Sequence, residues 1–322
     1  MFCGCQSKCL LVAAEGRWWA AKQPGGEWLI ALAVHPLIVV VKMPVPEFLI
    51  NKNPKASFRD EMAKLPGGMP TICEEAKCPN RGECLLKHRT VSILVMGDVC
   101  TRGCPFCAVT TGRPQPLDPE EPSRVLELAN ALDLRYLVMT SPNRDDLADG
   151  GASHYARIVR VLREGRPGMK VEALVPDFKG DERAYARLLE GPPDVIAHDL
   201  QTVPRLYRAI RPGADYERSL GLFRWFRHHA DPSVVLKGGL MVGFGETLEE
   251  VVAVLKNARE AGASTFTIGQ YLKPPGTILE VTEIVPLERY ARFAEAGRAM
   301  GLKVQASPLT RSSYLAEKLA KA

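Results

Sequence analysis

From residue 91 onward, short apolar runs alternate with stretches whose apolar positions recur at helical spacing. Val91–Met96 (VSILVM) predicts a buried strand, Pro122–Leu132 an amphipathic helix, and Arg135–Thr140 (RYLVMT) a second strand. A helix is expected near Ala152–Arg163, a strand near Val171–Val175 and a helix near Glu182–Leu189. Asp194–His198 and Val234–Val242 read as further strands. Thr247-Leu-Glu-Glu250 fits a capping box opening the next helix, and Thr265–Ile268 is the sixth strand. Apolar strands alternating with amphipathic helices imply parallel βαβ units, because the sheet needs helical cover. Six such units fall short of the eight that close a full barrel. The expected fold class is therefore α/β, a partial (β/α)6 TIM-like barrel rather than a doubly wound sheet, with N- and C-terminal extensions.

Reactive groups in such folds collect at the carboxyl ends of strands. The polar residues here gather at those places. They are the Cys100 loop, Thr140-Ser-Pro-Asn-Arg-Asp-Asp146, Pro176-Asp-Phe178, His198-Asp-Leu-Gln201 and Gln270-Tyr271, with Lys237-Gly-Gly inside the fifth strand region. Each alone reads as a cap or turn, but in register they predict one active-site mouth. Residues 43–89, polar and Pro-dotted, form an N-terminal extension. Residues 90–285 form the barrel and 286–322 a C-terminal extension.

Residues 1–42 read as a leader without assigned elements, and Met43 is an alternative start. Its 14-residue apolar run, Trp28–Val41, is too short to span a bilayer, contains His35 and Pro36, and lacks a small-residue cleavage site downstream. Cys3, Cys5 and Cys9 are incidental on this reading; the rival is a third metal site, C-G-C-x3-C.

Composition narrows the class. Hydrophobic residues at 46% and charged residues at 25% are those of a globular chain. A net charge of +5 is too mild for nucleic acid, yet it suits an acidic protein partner. Of nine cysteines, six lie in two clusters between Cys73 and Cys107. Such clustering favours metal over disulfide, and thiolate ligands need a reducing compartment, so a cytoplasmic location away from membranes is expected.

Cys100-Thr-Arg-Gly-Cys104-Pro-Phe-Cys107 is C-x3-C-x2-C. Three thiolates in so short a loop can curl around a cubane and leave its fourth iron open. A closed structural zinc site would require four ligands, one more than the loop supplies. Cys73-Glu-Glu-Ala-Lys-Cys78-Pro-Asn-Arg-Gly-Glu-Cys84 is C-x4-C-x5-C, again a three-thiolate site. His88, at C-x3-H, would complete a Cys3His zinc site there.

The C-x3-C-x2-C loop resembles that of the radical S-adenosylmethionine (SAM) superfamily, and the two trios in succession resemble lipoyl synthases. C-E-E-A-x-C-P-N, R-D-D-L-x-D-G-G-A-x-H, L-V-P-D-F-x-G, T-V-P-R-L-Y-R, R-P-G-A-D-Y, G-L-M-V-G-x-G-E-T and I-G-Q-Y-L follow in the family's order, from about Pro44 to Tyr314. The resemblance implies two four-iron clusters. One, on Cys100, Cys104 and Cys107, binds S-adenosylmethionine and cleaves it to methionine and a 5′-deoxyadenosyl radical. The other, on Cys73, Cys78, Cys84 and Ser313 of Arg311-Ser-Ser-Tyr314, is consumed as the sulfur source. Serine is a hard, weak ligand beside thiolate, which suits a cluster meant to come apart.

The implied reaction inserts sulfur at C6 and C8 of an octanoyl chain on a carrier lysine. An unactivated C–H bond offers no acidity to a side-chain base, so the protein's task is geometric. The implied partners are an octanoylated carrier (a 2-oxoacid dehydrogenase lipoyl domain or a glycine-cleavage H protein), a flavodoxin- or ferredoxin-like donor, and an iron–sulfur carrier. Thr140, Asp199, Gln201 and Lys237 are the expected S-adenosylmethionine contacts. Phe106 packs near adenine or, equally, within its own loop. Arg311 orients the serine loop, meets substrate, or pairs with a rim carboxylate. Asp145, Asp146 and Asp149 read as turn and cap residues around Gly150-Gly151.

Four segments depart from the family pattern. His198-Asp-Leu-Gln201 replaces His-Asn-x-Glu, exchanging amide and carboxylate while keeping one of each. Lys237-Gly-Gly replaces Lys-Ser-Gly; Pro274–Val281 lacks His-Leu-Pro; and Ser307-Pro308 lacks an intervening glycine. These place substrate recognition in question, leaving as rivals a radical SAM enzyme for another acyl chain and a non-enzymatic zinc or iron–sulfur scaffold.

Overall fold

The strand and helix periods produce a layered α/β structure, seen here in a computed structural model. It describes residues 78, 80–274 and 276–320, together with the backbone of residues 8–13, 16–22, 28–34 and 37–43. Those four segments are strands β1 (Lys8–Ala13), β2 (Gly16–Lys22), β3 (Trp28–Val34) and β4 (Leu37–Met43), paired antiparallel in chain order. The long apolar run read as one unit is thus divided between β3 and β4, with Val34 opposite Leu37. Its Trp-, Ile- and Val-rich halves suit pleated pairing, and His35-Pro36 separates them.

Helix α1 (Arg81–His88) leads into β5 (Thr90–Leu94). The cysteine loop follows, braced by the two-residue strands β6 (Val99–Cys100) and β7 (Thr110–Thr111). Then come α2 (Glu121–Ala131), β8 (Tyr136–Thr140), α3 (Ala152–Gly165), β9 (Lys170–Leu174), α4 (Glu182–Leu188) and β10 (Val195–Gln201). The remainder is α5 (Tyr207–Ile210), α6 (Tyr216–His229), β11 (Val235–Val242), α7 (Leu248–Glu260), β12 (Thr265–Gln270), α8 (Leu287–Ala299), β13 (Lys303–Ala306) and α9 (Ala316–Ala320).

Strands β5, β8, β9, β10, β11, β12 and β13 lie side by side in chain order, every pair parallel. Spatial order that follows chain order has no switch point, which is the winding of an open barrel rather than a doubly wound sheet. The expected six strands are joined by a seventh. Lys303–Ala306 (KVQA) is short, without an apolar run and half-exposed, so it carries little strand signal. The βα alternation consequently continues past residue 285 to β13.

The capping box forms as expected, with Thr247 accepting from the Glu250 amide and Glu250 accepting from the Thr247 amide. The main apolar core fills the layer between sheet and helices. Register assigns the opposite, inner face. Val138 pairs with Glu172, Glu172 with Val195, and Ala197 with Lys237, so these side chains share that face. Thr140, opposite Leu174, and Asp199, opposite Gly239, lie on the same face further along their strands.

The departure at Gly238 has a packing cause: a Cβ there would sit 2.4 Å from the Phe266 ring, so serine does not fit beside this phenylalanine. No helix among the described residues is long and apolar enough to cross a membrane.

Candidate functional site

The C-x3-C-x2-C loop is held from three sides. Thr101 receives two hydrogen bonds' worth of anchoring: its amide and hydroxyl both donate to the Asn143 carbonyl, at 3.0 and 2.9 Å. Arg102, between the first two cysteines, is 7% exposed along its side chain and grips Asp145 (2.7 and 2.9 Å) and Asp177 (2.7 and 3.1 Å). Burial opposes the Arg102 charge, but hydrogen bonds and charges from both carboxylates outweigh it and raise its pKa. Burial likewise works against ionised Asp177, yet Arg102 holds that carboxyl down at about 2. The loop is thereby tied to the ends of β8 and β9.

Below it, Arg144, 2% exposed, donates to the carbonyls of Met96 and Gln115 and to Asp146. Glu121 accepts from the Met96 amide and His154 Nε2, the latter at 2.6 Å. The R-D-D-L-x-D-G-G-A-x-H motif therefore braces the cysteine loop. Asp149 is a cap residue as expected, accepting from the Gly151 and Ser153 amides. Asp145 and Asp146 stand in a turn as expected, and there each also pairs with an arginine, Asp145 with Arg102 and Asp146 with Arg144. Sequence reading also missed Arg102, because no local spacing reveals partners 43 and 75 residues away.

Cys100 is buried, Cys104 half-buried and Cys107 exposed. The Cys100 sulfur faces the amides of Arg102 and Asn143, each at 3.3 Å, and the Asn143 side-chain amide at 3.8 Å. Burial first, then the neighbouring Cys107 and Cys100 charges, push the Cys104 thiol up to about 11, although Arg211 opposes this. Burial also raises Cys107. Three mutually repelling thiolates with N–H donors on one sulfur form a donor set suited to iron, whose positive charge offsets that repulsion. Phe106 packs against the cluster of Ile210, Phe244 and Tyr271, residues from later elements of the barrel.

The first trio is described in part. Cys73 lies outside the described residues; Cys84 is buried on α1 and Cys78 half-buried just before it. The chain's far end comes to meet them. Asn80 Nδ2 donates to the Leu309 carbonyl at 2.6 Å, Tyr314 donates to Glu83 at 3.3 Å, and His88 Nδ1 lies 2.8 Å from Glu317. Because α1 precedes edge strand β5 and residues 307–317 follow edge strand β13, these contacts bridge the open side of the barrel. His88, the zinc-completing candidate, is engaged by Glu317. Among the described residues no His, Cys, Asp and Glu group is arranged around a single metal ion.

Arg311 donates to the Thr310 and Pro308 carbonyls at 2.7 and 3.3 Å, and its charge sits close enough to influence Cys78. It braces the serine loop; an ion pair with a rim carboxylate is absent among the described residues. The Ser313 hydroxyl makes no hydrogen bond to any described residue, whereas Ser312 Oγ donates to Asp199 Oδ2.

The four expected cofactor contacts divide. Thr140 ends β8 and Asp199 stands near the end of β10, both on the inner face. Gln201 follows a register shift in β10 and adopts a φ of 68°, with Nε2 3.4 Å from Asp199 Oδ2. Burial raises the Asp199 pKa, countered by Ser312, Lys237 and Arg211. Lys237, the fourth, is held by a buried carboxylate. Its Nζ donates to Glu172 Oε1 at 2.7 Å, with the two side chains 2% and 0% exposed, and Tyr136 Oη donates to Glu172 Oε2 at 2.7 Å. Lying one inward step below Gly239, it satisfies a buried carboxylate inside the barrel. An open pocket of about 580 Å³ flanks Arg102, Lys179 and Arg218, but none of the four lines it, so it belongs to the outer flank of the cysteine loop.

His198 illustrates a buried neutral base. Its Nδ1 donates to the Val175 carbonyl at 2.8 Å, while Nε2 is buried without a partner. Burial first, then Arg211, lowers its pKa to about 3. The unfolded chain therefore takes up a proton that the folded chain refuses between about pH 6.5 and 3. Stability is complete above that window and declines as pH falls through it, by up to about 1.4 kcal/mol per pH unit from this group. Comparing denaturant unfolding of wild type and His198→Gln from pH 7.5 to 5 should show this part of the slope vanish in the variant. Identical slopes would contradict the assignment.

The family model of the Radical SAM superfamily matches residues 94–258. A protein named lipoyl synthase from Caldanaerobacter subterraneus subsp. tengcongensis is 51% identical, over 77% of this chain and 86% of its own. One so named from Thioalkalivibrio sulfidiphilus is 50% identical over 78% of each chain. Another, from Actinobacillus pleuropneumoniae serotype 5b, is 46% identical over 87% and 86%. Among solved structures, methylornithine synthase superposes with a TM-score of 0.53 at 12% identity, covering 77% of this chain and 74% of its own. Streptococcus suis SuiB bound to S-adenosylmethionine gives 0.52 at 14% identity, covering 70% and 53%. At such low identity these last two bear on the fold alone.

Proposed function

Because this chain belongs to the lipoyl synthase family of the radical SAM superfamily, we propose that it inserts sulfur at C6 and C8 of an octanoyl group borne on a carrier-protein lysine. The observation that carries this reading is the meeting of the Arg311–Glu317 segment with α1, which holds Cys84. The rival scaffold reading leaves the barrel and the braced strand-end loops without a purpose.

Cys100, Cys104 and Cys107 hold one four-iron cluster, and Cys73, Cys78, Cys84 and Ser313 hold the other. Bound there, the clusters supply the electron that cleaves S-adenosylmethionine and the sulfur that is transferred. The chain's own work is positional. Arg102, Asp145 and Asp177 fix the loop, and the N–H groups of Arg102 and Asn143 stabilise a charged Cys100 sulfur. Thr140, Asp199 and Gln201 offer hydrogen-bond partners to the ribose and amino groups of S-adenosylmethionine. Phe106 closes the apolar wall beneath Tyr271. Contacts of residues 80–88 with residues 309–317 cover the barrel's open side.

The acyl carrier is a lipoyl domain or an H protein, the reductant a flavodoxin or ferredoxin, and an iron–sulfur carrier rebuilds the consumed cluster in the cytoplasm. The mildly basic chain suits such acidic partners. Turnover with an octanoyl-lysine peptide, read by mass spectrometry, tests the reading: 6- and 8-thiolated product is expected. Deoxyadenosine without thiolated octanoyl peptide would sink it in favour of another acyl substrate, as the altered Pro274–Val281 segment would allow.

Ser313→Ala should retain deoxyadenosine formation while thiolated product falls more than about 100-fold, since loss of a ligand should exceed the roughly 10–100-fold cost of losing an outer-shell partner. Equal product yield from the variant would remove Ser313 from the ligand set.

A further inference from the structure

Asp199 presents its two oxygens differently. Oδ2 accepts from Ser312 Oγ and lies 3.4 Å from Gln201 Nε2, whereas Oδ1 makes no hydrogen bond to a described residue. Two glycines clear this spot. At Gly239 a Cβ would come within 2.0 Å of Asp199 Oδ1, and at Gly269, one strand over, a Cβ would come within 2.0 Å of the Thr310 carbonyl. The segment after β13 is therefore seated closely against the inner strands. Its other fastenings are Gln270 N to the Pro308 carbonyl and Ser307 N to the Ile268 carbonyl, both 3.1 Å. The Tyr314 amide donates to the Arg311 carbonyl at 2.9 Å, so Ser312 and Ser313 are the central pair of one tight turn. Fixing the first fixes the backbone of the second.

We propose that Ser312 is a positioning residue that couples the S-adenosylmethionine site to the docking of the serine loop on the first cysteine trio. Its hydroxyl aims Asp199 so that Oδ1 faces the cofactor, and the same bond places Ser313. This rests on the roles assigned above to Asp199 and Ser313. Because one carboxylate serves both sides, the coupling is positive and reciprocal: cofactor binding tightens residues 307–317, and a docked segment tightens cofactor binding.

The test uses the reconstituted holoenzyme of wild type, Ser312→Ala, Ser312→Thr and Asp199→Ala, with two readouts. One is the dissociation constant for S-adenosylmethionine; the other is amide hydrogen exchange of residues 307–317 with and without it. In wild type, S-adenosylmethionine is expected to slow exchange in this segment. Ser312→Ala should weaken binding about 5–10-fold, at the lower end of ordinary couplings, and abolish that slowing, while exchange in β8–β12 stays native. Ser312→Thr, which keeps the hydroxyl, should restore both. Asp199→Ala should weaken binding at least as much. If Asp199→Ala weakens binding but Ser312→Ala changes neither readout, the coupling is wrong and the cofactor assignment stands. If neither variant alters affinity, the assignment of Asp199 is lost and the coupling with it.

Discussion

Cys104→Ala is expected to form no measurable 5′-deoxyadenosine with dithionite and S-adenosylmethionine, and to bind about four irons after anaerobic reconstitution where wild type binds about eight. The loop offers three thiols, and Cys104 lies between a buried and an exposed one. With one gone, a cubane keeps two protein ligands. Loss of an outer-shell partner costs roughly 10–100-fold in metal affinity or activity, so loss of a ligand itself should exceed about 100-fold. The fold should survive, because Arg102, Thr101 and Arg144 brace the loop without using a cysteine side chain. Eight irons and normal deoxyadenosine yield in the variant would remove this trio from the radical chemistry.

The second large effect concerns stability. Lys237→Met strands the Glu172 carboxylate inside the barrel, where it is 0% exposed and retains only the Tyr136 hydroxyl. Breaking one side of a buried pair costs about 3–5 kcal/mol. For a domain of this size that corresponds to a fall of roughly 6–20 °C in unfolding midpoint. Replacing both partners, Lys237→Met with Glu172→Leu, should recover most of the loss. Some deficit should remain because the Tyr136 hydroxyl is left without its acceptor, a penalty of about 1–3 kcal/mol. Calorimetry of the single and double variants decides the matter. A lysine that instead touched S-adenosylmethionine would yield a single variant with a native midpoint and weakened cofactor binding.

Lys237 also shows where sequence reading reached its limit. Its position after a buried strand start and before two glycines looks the same whether the amine points to the mouth or to a carboxylate on a strand two places away. The partner, Glu172, sits 65 residues earlier in an otherwise apolar strand, and nothing local connects them. The strands and helices of the barrel were legible because each is a short apolar run or a 3.6-period stripe, signals that depend on near neighbours alone. β13 was not, since a half-exposed four-residue edge strand needs little apolar content. The cysteine trios and Arg311-Ser-Ser-Tyr314 are visible as spacing, yet the approach of residues 309–317 to α1 depends on contacts spanning most of the chain. Arg102 was missed for the same reason, as its two carboxylates arrive from separate strand ends.

The bridge between α1 and residues 307–317 has a consequence for biogenesis. Its hydrogen bonds join residues 229 and 231 positions apart, so no part of it can form until residues 309–317 have left the ribosome. The seven-stranded sheet can wind up strand by strand as it emerges, while the flank carrying Cys78 and Cys84 stays accessible from the side. The flank is sealed only when residues 309–317 arrive.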